Sequence, residues 1–289
     1  MSEYSVQVFD APPMHWVGDG FAVQTLFFYA DHGRALDPFL MLDYGRPRDF
    51  TPAARPRGVG EHPHRGFETV TIVYQGEVAH RDSTGQGGVI GPGDVQWMTA
   101  GAGILHEEFH SEAFTRSGGT MQMAQLWVNL PARAKSTPPR YQAIVAAGIP
   151  QGDLPDGAGR VRVIAGELYG LRGPAETHSP LTVADLRLDA GAKATIAKPR
   201  GWCGALVVMT GAVRLADDGR LGEGQLAVLD PSAERCQVRA DGAAVVLVLL
   251  GQPLGEPVVG YGPFVMNTRA EIVRAVEDFN AGRFGRMPD

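Results

Sequence analysis

At 289 residues, with 44% hydrophobic and 20% charged residues, the chain is long enough for two ordinary domains and has the composition of a globular protein. Its net charge of −6 and the lack of any Lys/Arg run argue against direct nucleic-acid binding, which needs a basic face for phosphates. The start, Met1-Ser2-Glu3-Tyr4, is not a basic leader followed by an apolar core, and no apolar run approaches the length of a membrane span; the expected location is the cytoplasm, away from membranes.

The 38 glycines and 21 prolines punctuate short apolar runs, the pattern of an all-β protein built from many strands and tight turns. Residues 21–29 and 39–42 read as strands, and 46–59, rich in Pro and Arg, as a loop leading to His62-Pro63-His64. From Glu68 the run Thr-Val-Thr-Ile-Val-Tyr alternates. In an unbroken strand it would put Val70, Ile72 and Tyr74 on the same face as His62, His64 and Glu68. Turns follow at 82–88 and 91–94, a strand at 95–99, and then Ala100-Gly101-Ala102-Gly103 leads to His106-Glu107-Glu108. A long strand over 121–130 closes this half. Residues 132–142 are the linker candidate, giving an N-terminal domain at 1–131 and a C-terminal one at 143–289.

The second half repeats the pattern without its histidines. Residues 206–211, a turn at Asp217-Asp218-Gly219, 222–224 and 225–229 echo 72–76, 84–88, 91–93 and 95–99, as in an internal duplication of one barrel. The two cysteines, Cys203 and Cys236, make no disulfide framework and read as core thiols. A helix is expected at about 268–281: Thr268 and Glu271 have capping-box spacing, Ile272, Val273, Val276 and Phe279 form an apolar face, and Gly282 ends the turn. Its expected role is packing across the two barrels.

Five of the eight histidines fall between Glu61 and His110. At strand spacing His62 and His64 share a face, and so do His106 and Glu108. Facing each other in a small barrel, these four would supply three imidazoles and a carboxylate. That set suits one borderline divalent metal and leaves an open position; without a thiolate it does not read as structural zinc. Glu107 points away. Glu68 is expected to partner a ligand histidine, His110 to sit at the pocket mouth or as a hydrogen-bonded bystander, and Phe67, Met121, Met123 and Trp127 to line an aromatic-substrate pocket.

Residues 36–43, His62-Pro63-His64-Arg65-Gly66-Phe67-Glu68-Thr69-Val70-Thr71, Gln96-Trp97-Met98-Thr99-Ala100-Gly101 with Gly103-Ile104, and Gly262-Pro263-Phe264-Val265-Met266-Asn267-Thr268 resemble the signatures of the pirin family. The resemblance implies two tandem cupin barrels, a bicupin, with metal held only in the N-terminal one by His62, His64, His106 and Glu108. Fe(II) is the leading candidate, and Mn, Cu, Ni, Co and Zn are alternatives. For function it implies a quercetin 2,3-dioxygenase-type opening of a small phenolic substrate by O2, with Glu108 as ligand and catalytic base. The alternative is a non-catalytic, iron-binding, redox-sensing regulator that binds a partner protein.

Overall fold

The computed structural model describes residues 6–216 and 219–288, so the Met1 to Tyr4 start and the Asp217-Asp218 part of the expected turn lie outside the described residues. The chain is strand-rich throughout and forms two compact units. One comprises 14–24, 41–146 and 255–289; the other comprises 1–13, 25–40 and 147–254. The expected division by chain order at 132–142 thus differs from the division by contact, in which each unit takes up a terminal segment from the other end of the chain.

Both units use the same strand order. The first has a seven-stranded sheet, ordered Arg140–Ile144, Val95–Thr99, Phe67–Gln75, Gly119–Asn129, Phe39–Phe50, Phe21–Phe28 and His15–Val17. Its four-stranded sheet runs Gly58–His64, Ile104–His110, Val78–Asp82 and Gly87–Ile90. The second unit matches it strand for strand, from Val6–Phe9 beside Leu226–Leu229 to Gln151–Asp153, with Lys193–Ala197, Arg235–Ala240, Ala212–Leu215 and Arg220–Gly222 as its smaller sheet. This is the duplication the sequence repeat predicts.

In each unit the two sheets share one core. In the first, Phe21, Val23, Val73, Met121 and Met123 of the larger sheet pack with Val78 and Ile90 of the smaller. In the second, Leu206, Val208, Leu186 and Val246 meet Ile196, Cys236, Val238 and Leu215. Buried apolar area of this kind contributes roughly 25 cal/mol per Å² and dominates the stability of such barrels.

The segment expected to be a linker is structural. Arg140–Ile144 is a strand paired with Val95–Thr99, and Lys135 is buried at 2% exposure. Its ammonium donates to Gly66 O at 2.8 Å, Asn129 Oδ1 at 2.7 Å and Val265 O at 2.9 Å. Burial lowers the Lys135 pKa to about 8. This one cation ties the turn after the first histidine motif to the segment that precedes the C-terminal helix. Gly66 makes that turn at φ 87, and a Cβ there would lie 2.0 Å from Val265 O, so only glycine fits.

The helix spans Arg269–Asn280, with the Thr268 side chain accepting from the Glu271 backbone N–H. It packs through Ala275, Ile272 and Val276 with Leu105, Phe264 and Phe284, all in the first unit. Its core packing is thus placed within one unit, whereas the expected role was packing across the two barrels. Its apolar face is corrected, since Val273 is 57% exposed and Ala275 takes the inner position.

Replacing Lys135 by Met would leave three buried acceptors without their donor. We expect a loss of about 3 kcal/mol, from the cost of an unsatisfied buried polar group. A calorimetric melt should show this as a fall of roughly 6–12 °C in the first unit's transition; an unchanged Tm would show that the ammonium is not a tie.

Candidate metal centre

Strands Gly58–His64 and Ile104–His110 pair antiparallel, with His62 opposite His106. Opposed residues share a face, so His62, His64 and His106 turn to one side, as the spacing predicts. A register shift separates His106 from Glu108 along this pairing. On the other edge, the pairing to Val78–Asp82 runs unbroken and sets His80 opposite Glu108.

Ring centroids lie 4.2 Å apart for His62 and His106, 4.8 Å for His64 and His106, and 4.9 Å for His62 and His64. Among the described residues two groups of potential ligands result, His62/His64/His106 and His80/His106/Glu108, with one donor atom per residue lying within 4.8 Å of the others in its group. The expected four residues are therefore brought together as two triads that share His106, with His80 added.

Burial sets the chemistry of this cluster. It holds the pKa values of His64 and His106 well below the usual imidazole range, an effect reinforced by neighbouring histidines. Both rings are neutral at pH 7 and so carry a lone pair. His64 Nδ1 and His106 Nε2 are buried without any hydrogen-bond partner, a condition that costs roughly 1–3 kcal/mol per group. A divalent cation satisfies such nitrogens, so the residues present fit a metal. His62 Nδ1 lies 2.8 Å from Gly60 O, which favours a proton on that nitrogen and leaves Nε2 as the donor to a metal.

The carboxylate is held from both sides. Thr71 Oγ1 donates to Glu108 Oε1 at 3.1 Å and Gln125 Nε2 to Oε2 at 3.3 Å, while Thr71 also reaches Gln125 Oε1 at 2.6 Å. His80 is engaged at both ring nitrogens, by Gln96 Nε2 at 2.8 Å on Nδ1 and by Asp82 Oδ2 at 3.4 Å on Nε2. Its Nδ1 also lies 3.4 Å from His106 Nδ1, and its ring stacks on Tyr141 at 5.1 Å. With both nitrogens occupied, His80 positions His106 rather than competing as a ligand. Sequence reasoning missed it, although it lay in the histidine-rich window, one strand step from Asp82.

Phe67 and Trp127 form the aromatic wall, with centroids 5.0 and 5.4 Å from His64 and 4.3 Å from each other. Met121 and Met123 lie in the apolar core with Val73 and Phe21. His110 is buried among Phe21, Phe50 and Phe114, with Nε2 2.9 Å from Gly20 O, which makes it the bystander rather than a mouth residue. Glu107 points away and pairs with Arg81 at 2.8 Å.

Glu68 departs from expectation. The turn at Gly66 resets the strand's parity, so Phe67, Thr69, Thr71 and Val73 face inward, and Glu68 takes the opposite face with Val70 and Ile72. It stands across from Thr99, whose hydroxyl donates to Oε1 at 2.7 Å. Burial raises its pKa to about 7.

Comparisons with known proteins agree with this architecture. The family model Pirin matches residues 20–128, and the Pirin C-terminal cupin domain matches 183–285. A Pseudomonas aeruginosa protein provisionally named quercetin 2,3-dioxygenase is 57% identical over 272 residues, covering 94% of this chain and 95% of that protein. Human pirin is 37% identical, covering 86% of this chain and 83% of its own. The crystal structure of a quercetin 2,3-dioxygenase from Acinetobacter baumannii superposes with a TM-score of 0.94 at 53% identity, covering 96% of this chain and 97% of that one.

The raised Glu68 pKa has a definite sign in stability. Unfolded, the group titrates near 4.5; folded, near 7. Between these values the folded chain holds a proton that the unfolded chain has lost, so stability falls as pH rises through that window. Against Glu68→Gln, wild type should lose up to about 3 kcal/mol between pH 4 and pH 8. Urea titrations of both proteins check this, and parallel pH profiles would contradict it.

Proposed function

The chain belongs to the pirin family, and from that premise we propose that it is a metal-dependent dioxygenase that opens the ring of a quercetin-type flavonol with O2. The observation that carries the reading is a set of buried neutral imidazoles with unsatisfied nitrogens beside an aromatic wall. His62, His64, His106 and Glu108 would hold one divalent metal, with Fe(II) the leading candidate. When bound, the metal supplies a Lewis-acidic, redox-active centre that acidifies a coordinated phenol and couples it to O2.

The chain's own residues do the rest. Trp127, backed by the fully buried Phe67, presents a flat apolar face on which a flavonol ring stacks, and the pair excludes competing water. Glu108 takes the proton of the 3-hydroxyl. Gln125 donates to one of its oxygens, and the single Thr71 hydroxyl proton is shared between the other and Gln125 Oε1; both oxygens keep lone pairs for the substrate's proton, so the carboxylate is oriented before substrate arrives. His80, fixed by Gln96 and Asp82, holds the His106 ring in place. The ring then opens and carbon monoxide leaves. A second reading, a redox-sensing regulator that docks on a partner protein, keeps the same residues and draws on the relatives named pirin.

Iron-loaded protein mixed anaerobically with quercetin should shift the flavonol absorption band, and adding O2 should consume O2 and release carbon monoxide. Glu108→Gln should lower kcat by about 10²- to 10⁴-fold, the usual contribution of a positioned base. If O2 is not consumed while ferrous and ferric protein differ in retaining one partner, the regulatory reading replaces this one.

A further inference from the structure

The shared strand order allows residue-by-residue comparison of the two barrels. Gly76 and Gly211 each end a core strand at positive φ, and two residues on, Val78 pairs with His110 and Val213 with Ala240. Counting from there, Leu215 replaces His80, Val238 replaces Glu108 and Cys236 replaces His106. Across the next pairing Ile196 replaces His62, and Lys198, whose N–H bonds Glu234 O, replaces His64. Leu215, Val238, Cys236 and Ile196 are all part of the second core. The fifth position keeps a polar group, a lysine buried at 3% exposure.

That lysine lines a cleft of about 1010 Å³ in the second unit. Its ammonium donates to Trp202 O at 2.8 Å and Pro231 O at 3.0 Å, leaving one of its three N–H groups. Trp202 and Tyr169 supply aromatic walls and Arg200 stands at the exposed rim. Tyr169 sits in the left-handed region at φ 49, its hydroxyl donating to Thr195 O at 2.9 Å, so the hairpin turn holds the ring in a fixed place. Of the acids in the lining, Glu167 is neutralised by Arg172 at 2.8 Å; Glu234 is exposed.

We propose that this cleft is a second ligand site, separate from the histidine cluster, for a small aromatic carboxylate. The carboxylate lies against Lys198 and Arg200, and the ring lies between Trp202 and Tyr169. Asp230 and Glu234 attract the ammonium from one side, and its remaining N–H favours an anion over the neutral analogue, because a charge-assisted hydrogen bond is about twice as strong as a neutral one. The proposal does not rest on the dioxygenase reading and holds whether or not that reading does.

Titration of the full-length protein with 2-naphthoate, followed by calorimetry and by tryptophan fluorescence, tests it. One saturable site is expected, equal in metal-loaded and metal-free protein, with fluorescence quenching that Trp202→Phe abolishes. Neutral 2-naphthamide should bind at least about tenfold more weakly. Lys198→Met should weaken naphthoate at least about thirtyfold, and Arg200→Glu, at an exposed rim where folding is not at risk, about fivefold. Absence of binding at millimolar naphthoate, dependence on the first barrel's metal, or unchanged affinity in Arg200→Glu would each overturn the proposal.

Discussion

Crowding of imidazoles inside a desolvated barrel is the constraint around which the first unit is arranged. Burial keeps His64 and His106 uncharged, and their unsatisfied nitrogens can be relieved only by water or a metal. Everything near them restricts movement. Gln96 and Asp82 fix His80 against His106, Thr71 and Gln125 fix Glu108, and Lys135 with Gly66 pins the end of the strand that carries His62 and His64. A cluster held in this way is pre-organised, so a ligand entering it does not have to order it.

The second barrel shows that the fold does not need this arrangement. With the same strand order it places Ile196, Cys236, Val238 and Leu215 at the corresponding points and packs them as ordinary core. Apolar side chains there are the cheaper solution, since burying polar groups opposes folding unless each finds a partner. The retention of four imidazoles and a carboxylate in one copy is therefore a matter of chemistry rather than architecture. Lys198 marks where the second copy carries a buried charge in place of the neutral His64.

Much of this was legible in the sequence because strand periodicity is local. Alternation places His62 with His64 and His106 with Glu108, and repeated glycine turns reveal the duplication and hence the all-β class. What could not be read depends on pairing between distant segments. His80 reaches the cluster only because Val78–Asp82 lies beside Ile104–His110. Glu68 fell on the wrong face because one positive-φ glycine, Gly66, interrupts what reads as a continuous alternation. The linker reading failed at Lys135 because a Pro-rich, charged segment looks solvated until its acceptors, Gly66 and Val265, are known. The exchange of terminal segments between units is likewise invisible to composition.

We propose that one metal binds, in the first barrel, through His62, His64, His106 and Glu108. X-ray absorption spectroscopy on iron-loaded full-length protein, combined with anomalous scattering from its crystals, tests it most directly. One metal per chain is expected at this cluster, with an inner shell of three imidazole nitrogens and oxygen. Metal found elsewhere, a shell lacking histidine, or less than about a tenth of a metal per chain after loading would contradict it.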